Sequence, residues 1–202
     1  MYVFRKQSLK LLWAGLVILA ALALTACGEE AQTQQQGGNI PDGPTGPVYH
    51  IGFDTVITNA TGLVSPQIRY IGPYTVNTGT FLTGLGVALA TGGFTGANTY
   101  KLGLYSDAGN KPGTLLATSA FGTWADAKNN EVTTNALYLA PGDYWVAANA
   151  ETGTFYVSQG TTAGVSNIRY ETAATGWDVW PATATSALGS TFAHHAYMIV
   201  QD

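Results

Sequence analysis

The chain has 202 residues and a formal net charge of −4; charged side chains fill only 10% of positions, hydrophobic ones 46%. After Cys27 the balance turns more acidic, because five basic residues (Arg69, Lys101, Lys111, Lys128 and Arg169) stand against all twelve acids, a net charge of −7. No basic patch is available to neutralise phosphates, which argues against nucleic acid as a partner, and a single cysteine leaves the fold to rest on its core without an internal disulfide.

The first ten residues, MYVFRKQSLK, carry Arg5, Lys6 and Lys10 and no acid, and an uncharged apolar run of 14 residues follows from Leu11 to Leu24. A basic segment followed by a short apolar one is the layout of a secretory signal. The run falls short of the roughly 20 residues a membrane-spanning helix needs, and it ends on small residues rather than on a positive flank. The junction Leu24-Thr25-Ala26-Cys27 resembles the bacterial lipobox, in which the cysteine is acylated and becomes the new N-terminus. That resemblance implies removal of residues 1–26 and a membrane lipid held through Cys27. The chemistry suits a thiol because the thiolate is the nucleophile. A multi-acyl anchor holds essentially permanently, since each buried CH₂ contributes about 0.8 kcal/mol. Gly28 stands where enteric bacteria place Asp to retain a lipoprotein in the inner membrane, so the resemblance points to the outer membrane or cell surface.

Residues 27–48 hold the lipidated cysteine and then acids, glutamines, glycines and prolines with few large apolar side chains. Such a stretch cannot bury a core and reads as a flexible tether. From Tyr49 to Asp202 the texture changes to short runs rich in Thr, Tyr, Val and Trp, punctuated by Gly. Strands are predicted at Tyr49–Ile57, Gln67–Val76, Phe81–Ala90, Thr99–Tyr105, Leu115–Phe121, Glu131–Leu139, Tyr144–Asn149, Thr154–Ser158, Ser166–Tyr170 and Ala193–Val200. Turn signals lie between them at Gly92-Gly93, Asp107–Gly113 and Pro141-Gly142-Asp143. This spacing, with no helical periodicity, predicts an all-β domain: an antiparallel two-sheet sandwich or jelly roll. Alternation places Leu102 and Leu104 on one face and Lys101, Gly103 and Tyr105 on the other. Ile68-Arg69-Tyr70 is echoed by Ile168-Arg169-Tyr170, the only arginines after the signal. The echo reads either as paired surface sites or as similar strands in which Arg packs across a neighbouring Tyr.

The run Leu102-Gly103-Leu104-Tyr105-Ser106-Asp107 through Pro112-Gly113-Thr114-Leu115-Leu116-Ala117 reads as strand, turn, strand. It resembles a hairpin of extracellular bacterial β-sandwich domains similar to choice-of-anchor modules. The later Leu139-Ala140-Pro141-Gly142-Asp143-Tyr144-Trp145-Val146-Ala147 resembles their second strand pair. The resemblance covers about Phe81 to Asn149 and implies a fold, not an activity.

No catalytic constellation emerges. His194 and His195 are adjacent, and neighbouring strand residues face opposite ways unless a bulge intervenes. Neither His/Cys ligand spacing nor a Gly-x-Ser-x-Gly elbow is present, so no metal and no cofactor is expected. The acids, among them Asp54, Glu131, Glu171 and Asp178, are scattered through the sequence and mostly fall at turns. Asp107 with Asn110 is read as a turn cap before a calcium ligand. The aromatics suggest more. Trp177 and Trp180 near Tyr170 either form a platform for a sugar ring, with Asp178 accepting from its hydroxyls, or plug the end of the sandwich. Trp145 reads as core and Trp124 is undecided. The leading functional expectation is a non-catalytic surface binding or adhesion module with carbohydrate as the ligand class. The alternative is a structural subunit of an envelope assembly pairing through sheet edges, and a glycoside-acting enzyme ranks last.

One outcome follows from the lipobox alone. Cys27→Ser should abolish incorporation of labelled fatty acid, because a hydroxyl is a far poorer nucleophile than a thiolate. Equal labelling of both proteins would refute lipidation at this residue.

Overall fold

The computed structural model describes residues 43–56, 60–64, 67–95, 99–172 and 176–202. The signal, Cys27 and most of the expected tether lie outside them. Twelve strands run in chain order: β1 (Val48–Gly52), β2 (Ala60–Val64), β3 (Gln67–Val76), β4 (Thr80–Thr95), β5 (Thr99–Asp107), β6 (Pro112–Thr118), β7 (Gly122–Thr123), β8 (Asn129–Leu139), β9 (Gly142–Ala150), β10 (Thr154–Thr172), β11 (Ala187–His194) and β12 (Ala196–Gln201). Every ladder is antiparallel.

The strands form the two faces of an all-β sandwich. The first sheet runs β1–β12–β4–β8. The second runs β11–β10–β3–β9–β5, with β6 and β7 both on the far side of β5. The first half of β10 pairs instead with β2 and β4, which joins the sheets. Between them lies the main core, including Ile71, Leu82, Leu85, Val87, Leu102, Leu104, Val146, Ala148, Met198 and Val200. Trp124 belongs to this core, stacked on Tyr100 at 3.8 Å and on Phe155 at 5.1 Å.

Sequence pattern and strand bounds agree best where turn chemistry is strong. β3 has the predicted limits, and the predicted Pro141-Gly142-Asp143 turn falls at the β8–β9 junction, where Ala140-Pro141 separate the strands and Gly142-Asp143 open β9. Elsewhere the sheet overrides local signals. Gly92, expected in a turn, sits inside β4 with φ +73°, a kink that only glycine accommodates without strain. The two strands expected at Thr154–Ser158 and Ser166–Tyr170 are one 19-residue strand, β10, which serves both sheets in turn. The expected Ala193–Val200 strand is interrupted at His195. The first strand ends at Gly52 (φ +127°), and β2, β7 and β11 have no counterpart in the pattern.

The domain also starts earlier than Tyr49. The amides of Thr45 and Gly46 both donate to the Asp202 carbonyl, and Gln201 Nε2 donates to Gly46 O. The chain therefore enters the sandwich beside its C-terminus. That entry end carries the β8–β9 turn, because Gln201 pairs with Phe81 and Thr80 with Leu139. β9 runs away from it for nine residues, roughly 25 Å, to Ala150 opposite Tyr100.

Close approach of aromatic rings to glycine recurs across the sheets. A Cβ on Gly86 would lie 2.2 Å from Tyr197 Cζ, and one on Gly122 would lie 2.3 Å from Tyr100 Cζ. Each ring lies flat over a cross-strand glycine and reaches past it; the Tyr197 hydroxyl donates to Glu131 Oε1 at 2.8 Å, two strands away. Gly86→Ala must push the fully buried Tyr197 ring off this seat and break that bond. A loss of about 1–3 kcal/mol is expected, read by chemical denaturation.

Burial raises the pKa of Tyr70, Tyr100, Tyr105 and Tyr197, helped at Tyr70 and Tyr197 by hydrogen bonds to Glu171 and Glu131. The fold favours the neutral phenols, so their contribution is intact below the ordinary tyrosine pKa of about 10 and is lost above it. Melting temperature should fall steeply above that pH. Phenolate absorbance should show a class of tyrosines that ionise only on unfolding; smooth titration of all eleven would contradict the burial.

Candidate functional site

The second sheet is apolar on its outer face as well as its inner one. Ile68, Tyr70, Tyr105, Trp145 and Ala147 form a second buried cluster there, against which Leu115, Trp180 and Ala184 pack. Tyr70 and Tyr105 meet edge to face at 5.0 Å. The Trp145 indole donates to Asp107 Oδ1 at 2.8 Å, while Asp107 Oδ2 accepts from the Asn110 amide at 3.0 Å. Both oxygens of Asp107 are thus engaged in holding the β5–β6 turn and the β9 tryptophan together. Asn110 takes φ +62° in that turn.

Residues 176–186 cross this outer face as a strap. Asn149, fully buried, donates through Nδ2 to Trp177 O at 2.7 Å. Trp180 lies over Gly103, and the Tyr105 hydroxyl donates to Pro181 O at 2.8 Å. Ala182 O accepts from the Leu115 amide and the Ala184 amide donates to Gly113 O, both at 2.9 Å. The Thr185 amide and hydroxyl then donate to Glu171 Oε2, whose other oxygen accepts from Tyr70 at 2.5 Å.

This arrangement separates the residues expected to form one platform. Trp180 faces inward as part of the lid over the second cluster, with its indole nitrogen buried. Tyr170 belongs to the other face of the sheet: two residues from the core residue Ile168, it pairs with Arg69, whose guanidinium stands 4.8 Å over its ring. Asp178 is exposed at the strap's outer bend. Trp177 is half-buried at the start of the strap, and its neighbour is a residue the sequence did not single out. Phe121, 58% exposed, meets the Trp177 ring at 5.5 Å. Val179 (49% exposed) follows in the strap, and Lys101 Nζ stands 5.3 Å from the Phe121 ring centre. An aromatic pair, one cation and one carboxylate are therefore grouped at the end of the sandwich away from chain entry, where Lys101 pairs with Asn149.

The histidines fall into two structural settings. His194 and His195 are buried where β11 gives way to β12. The Tyr74 hydroxyl donates to His194 O at 2.9 Å, and His195 stacks on Phe53 at 5.4 Å with Nδ1 against Thr55 O. On the outer face of the first sheet, His50 Nδ1 lies 2.9 Å from Asp54 Oδ2, and its Nε2 lies 3.9 Å from Glu131 Oε1. These acids, distant in sequence, are brought together by register: Gly52, Tyr197, Gly86 and Glu131 lie in one row across four strands. Both imidazole nitrogens face carboxylates, with the closer contact to Asp54 just beyond the end of β1 and the longer one reaching Glu131 on β8. Among the described residues no group of three or more His, Cys, Asp or Glu is arranged to hold a metal ion.

No family model, no curated protein and no solved structure matches the chain.

Proposed function

We propose that the chain is a lipid-anchored surface protein whose sandwich is a non-catalytic binding module, with carbohydrate as the ligand class. The observation that carries this reading is the Trp177–Phe121 pair. Two adjoining aromatic rings, inclined at 51° and one of them mostly exposed, offer an apolar face on which a sugar ring can stack, and Asp178, next to Trp177 in the chain, can accept from its hydroxyls. Two further features support it. The Trp177 backbone is held by the buried Asn149 side chain, so little ordering is left for binding to cost. The pair also lies at the end of the sandwich opposite the chain's entry, where an anchored module would present it outward.

Assembly through sheet edges has one observation in its favour, the position of β1 at the end of the first sheet's strand order with Val48 58% exposed. A five-residue edge is a short template for pairing, which ranks this reading second.

The test is a glycan array probed with residues 43–202, in wild-type form and with single alanine substitutions. Trp177→Ala and Phe121→Ala should melt like the wild type and lose glycan binding by about 2 kcal/mol or more. Trp180→Ala should instead lose about 3 kcal/mol of stability, since it opens the lid of the second cluster. Undiminished glycan binding by the folded Trp177 and Phe121 variants would remove the platform from the reading. A monomer in sedimentation at high concentration would remove assembly through β1.

A further inference from the structure

Lys101 has no acid partner among the described residues. Among the described residues the ion pairs are those of His50 with Asp54 and Glu131, and the Lys101 ammonium rests instead on the Phe121 ring, 5.3 Å from its centre. What sets Lys101 apart from Lys111 and Lys128 is its place over an exposed aromatic ring. Asp178, in the same neighbourhood, forms no ion pair with it. The cation is also placed and oriented. It rises from the rigid strand β5, directly opposite the buried Asn149 that fixes Trp177. Its contact with the ring sheds part of its water in advance.

We infer that the ligand of the Trp177–Phe121 platform is an acidic sugar, its ring face on the aromatic pair and its carboxylate on the Lys101 ammonium. The inference rests on the platform reading and deepens it. A charge-assisted bond to an ammonium is stronger than one between neutral groups, so Lys101 would select a carboxylate over a hydroxymethyl group at the same ring position. The exposed Asp178 carboxylate sets the orientation: it repels the acid end of the sugar and accepts from hydroxyls at the other. One ammonium supplies this selectivity, so salt should weaken it while leaving ring stacking in place.

The experiment uses the full chain in detergent, titrated with oligogalacturonate and with hyaluronan oligosaccharide, each against its carboxyl-methylated form. Methylation removes the charge and keeps the ring. The wild type should bind an acidic form about tenfold or more tightly than its ester. Lys101→Gln should level the two, Lys101→Arg should keep the preference, and added salt should narrow it in the wild type only. Near-identical circular dichroism of the three proteins establishes that the lysine variants are folded. Equal binding of acid and ester by the wild type, or a preference that survives in Lys101→Gln, overturns the inference. Binding of esters alone that is lost in Trp177→Ala upholds the platform and overturns the acidic ligand. Binding of neither form also overturns it, and the glycan array then decides the platform separately.

Discussion

A sheet that carries large apolar side chains on both faces must be covered on both. The first sheet covers the inner face of the second. Over the outer face, with Tyr70, Tyr105 and Trp145 fully buried, the described residues place no third layer of strands, and residues 176–186 take that part. Much of what distinguishes the molecule follows from this requirement. A strap without regular structure leaves backbone groups to satisfy, and it bonds the sheet through Trp177 O, Pro181 O, Ala182 O and the amides of Ala184 and Thr185. The tyrosines under it carry hydroxyls that burial alone would penalise, and each reaches a partner at the margin, Glu171 or Pro181 O. Where the strap turns away from the sheet, Trp177 is left half-covered beside Phe121. The aromatic patch is thus the edge of a structural lid.

Asp107 couples the β5–β6 hairpin to the neighbouring strand β9. One oxygen closes the β5–β6 turn and the other holds the Trp145 indole, so the local geometry of a turn and the packing of the adjacent strand share a single carboxylate. The same economy governs the repeated Ile-Arg-Tyr triplet. Its two copies lie on neighbouring strands and pair with each other in opposite directions, Arg69 with Tyr170 and Tyr70 with Arg169. The echo is a cross-strand packing device. Antiparallel register sends the members of each triplet to alternate faces, and burial draws the Arg69 guanidinium below its ordinary pKa as it stacks on Tyr170.

The fold class was legible because turn residues and alternation act locally; β3, the β5–β6 turn and the β8–β9 turn all follow from residues within a few positions of one another. The second core was harder to see, although a signal was present. In Tyr144-Trp145-Val146-Ala147-Ala148 the alternation disappears, as it does in a strand buried on both faces. Trp177 and Trp180 look equivalent in the sequence, and only the path of the strap makes one a lid and the other a surface. Phe121 read only as the last residue of a strand over Leu115–Phe121, whereas β6 ends at Thr118, and its importance arises from Trp177 and Lys101, which arrive from elsewhere in the chain. The cluster of His50, Asp54 and Glu131 was likewise hidden, since strand order and not sequence distance brings Glu131 to β1.

The chain's route into the sandwich also has a mechanical consequence. β1 starts at the entry end and runs towards the end that bears the aromatic patch, paired residue for residue with β12 from Val48–Gln201 to Gly52–Tyr197. Tension between the residues preceding Val48 and an object held at the patch is directed along β1. It therefore loads that ladder in shear, with the bonds sharing the force, instead of peeling them one after another. The amides of Thr45 and Gly46 on Asp202, and the His50 imidazole between Asp54 and Glu131, stand on the same line of force. The strand nearest the pull is thus fastened both along its ladder and beyond each of its ends.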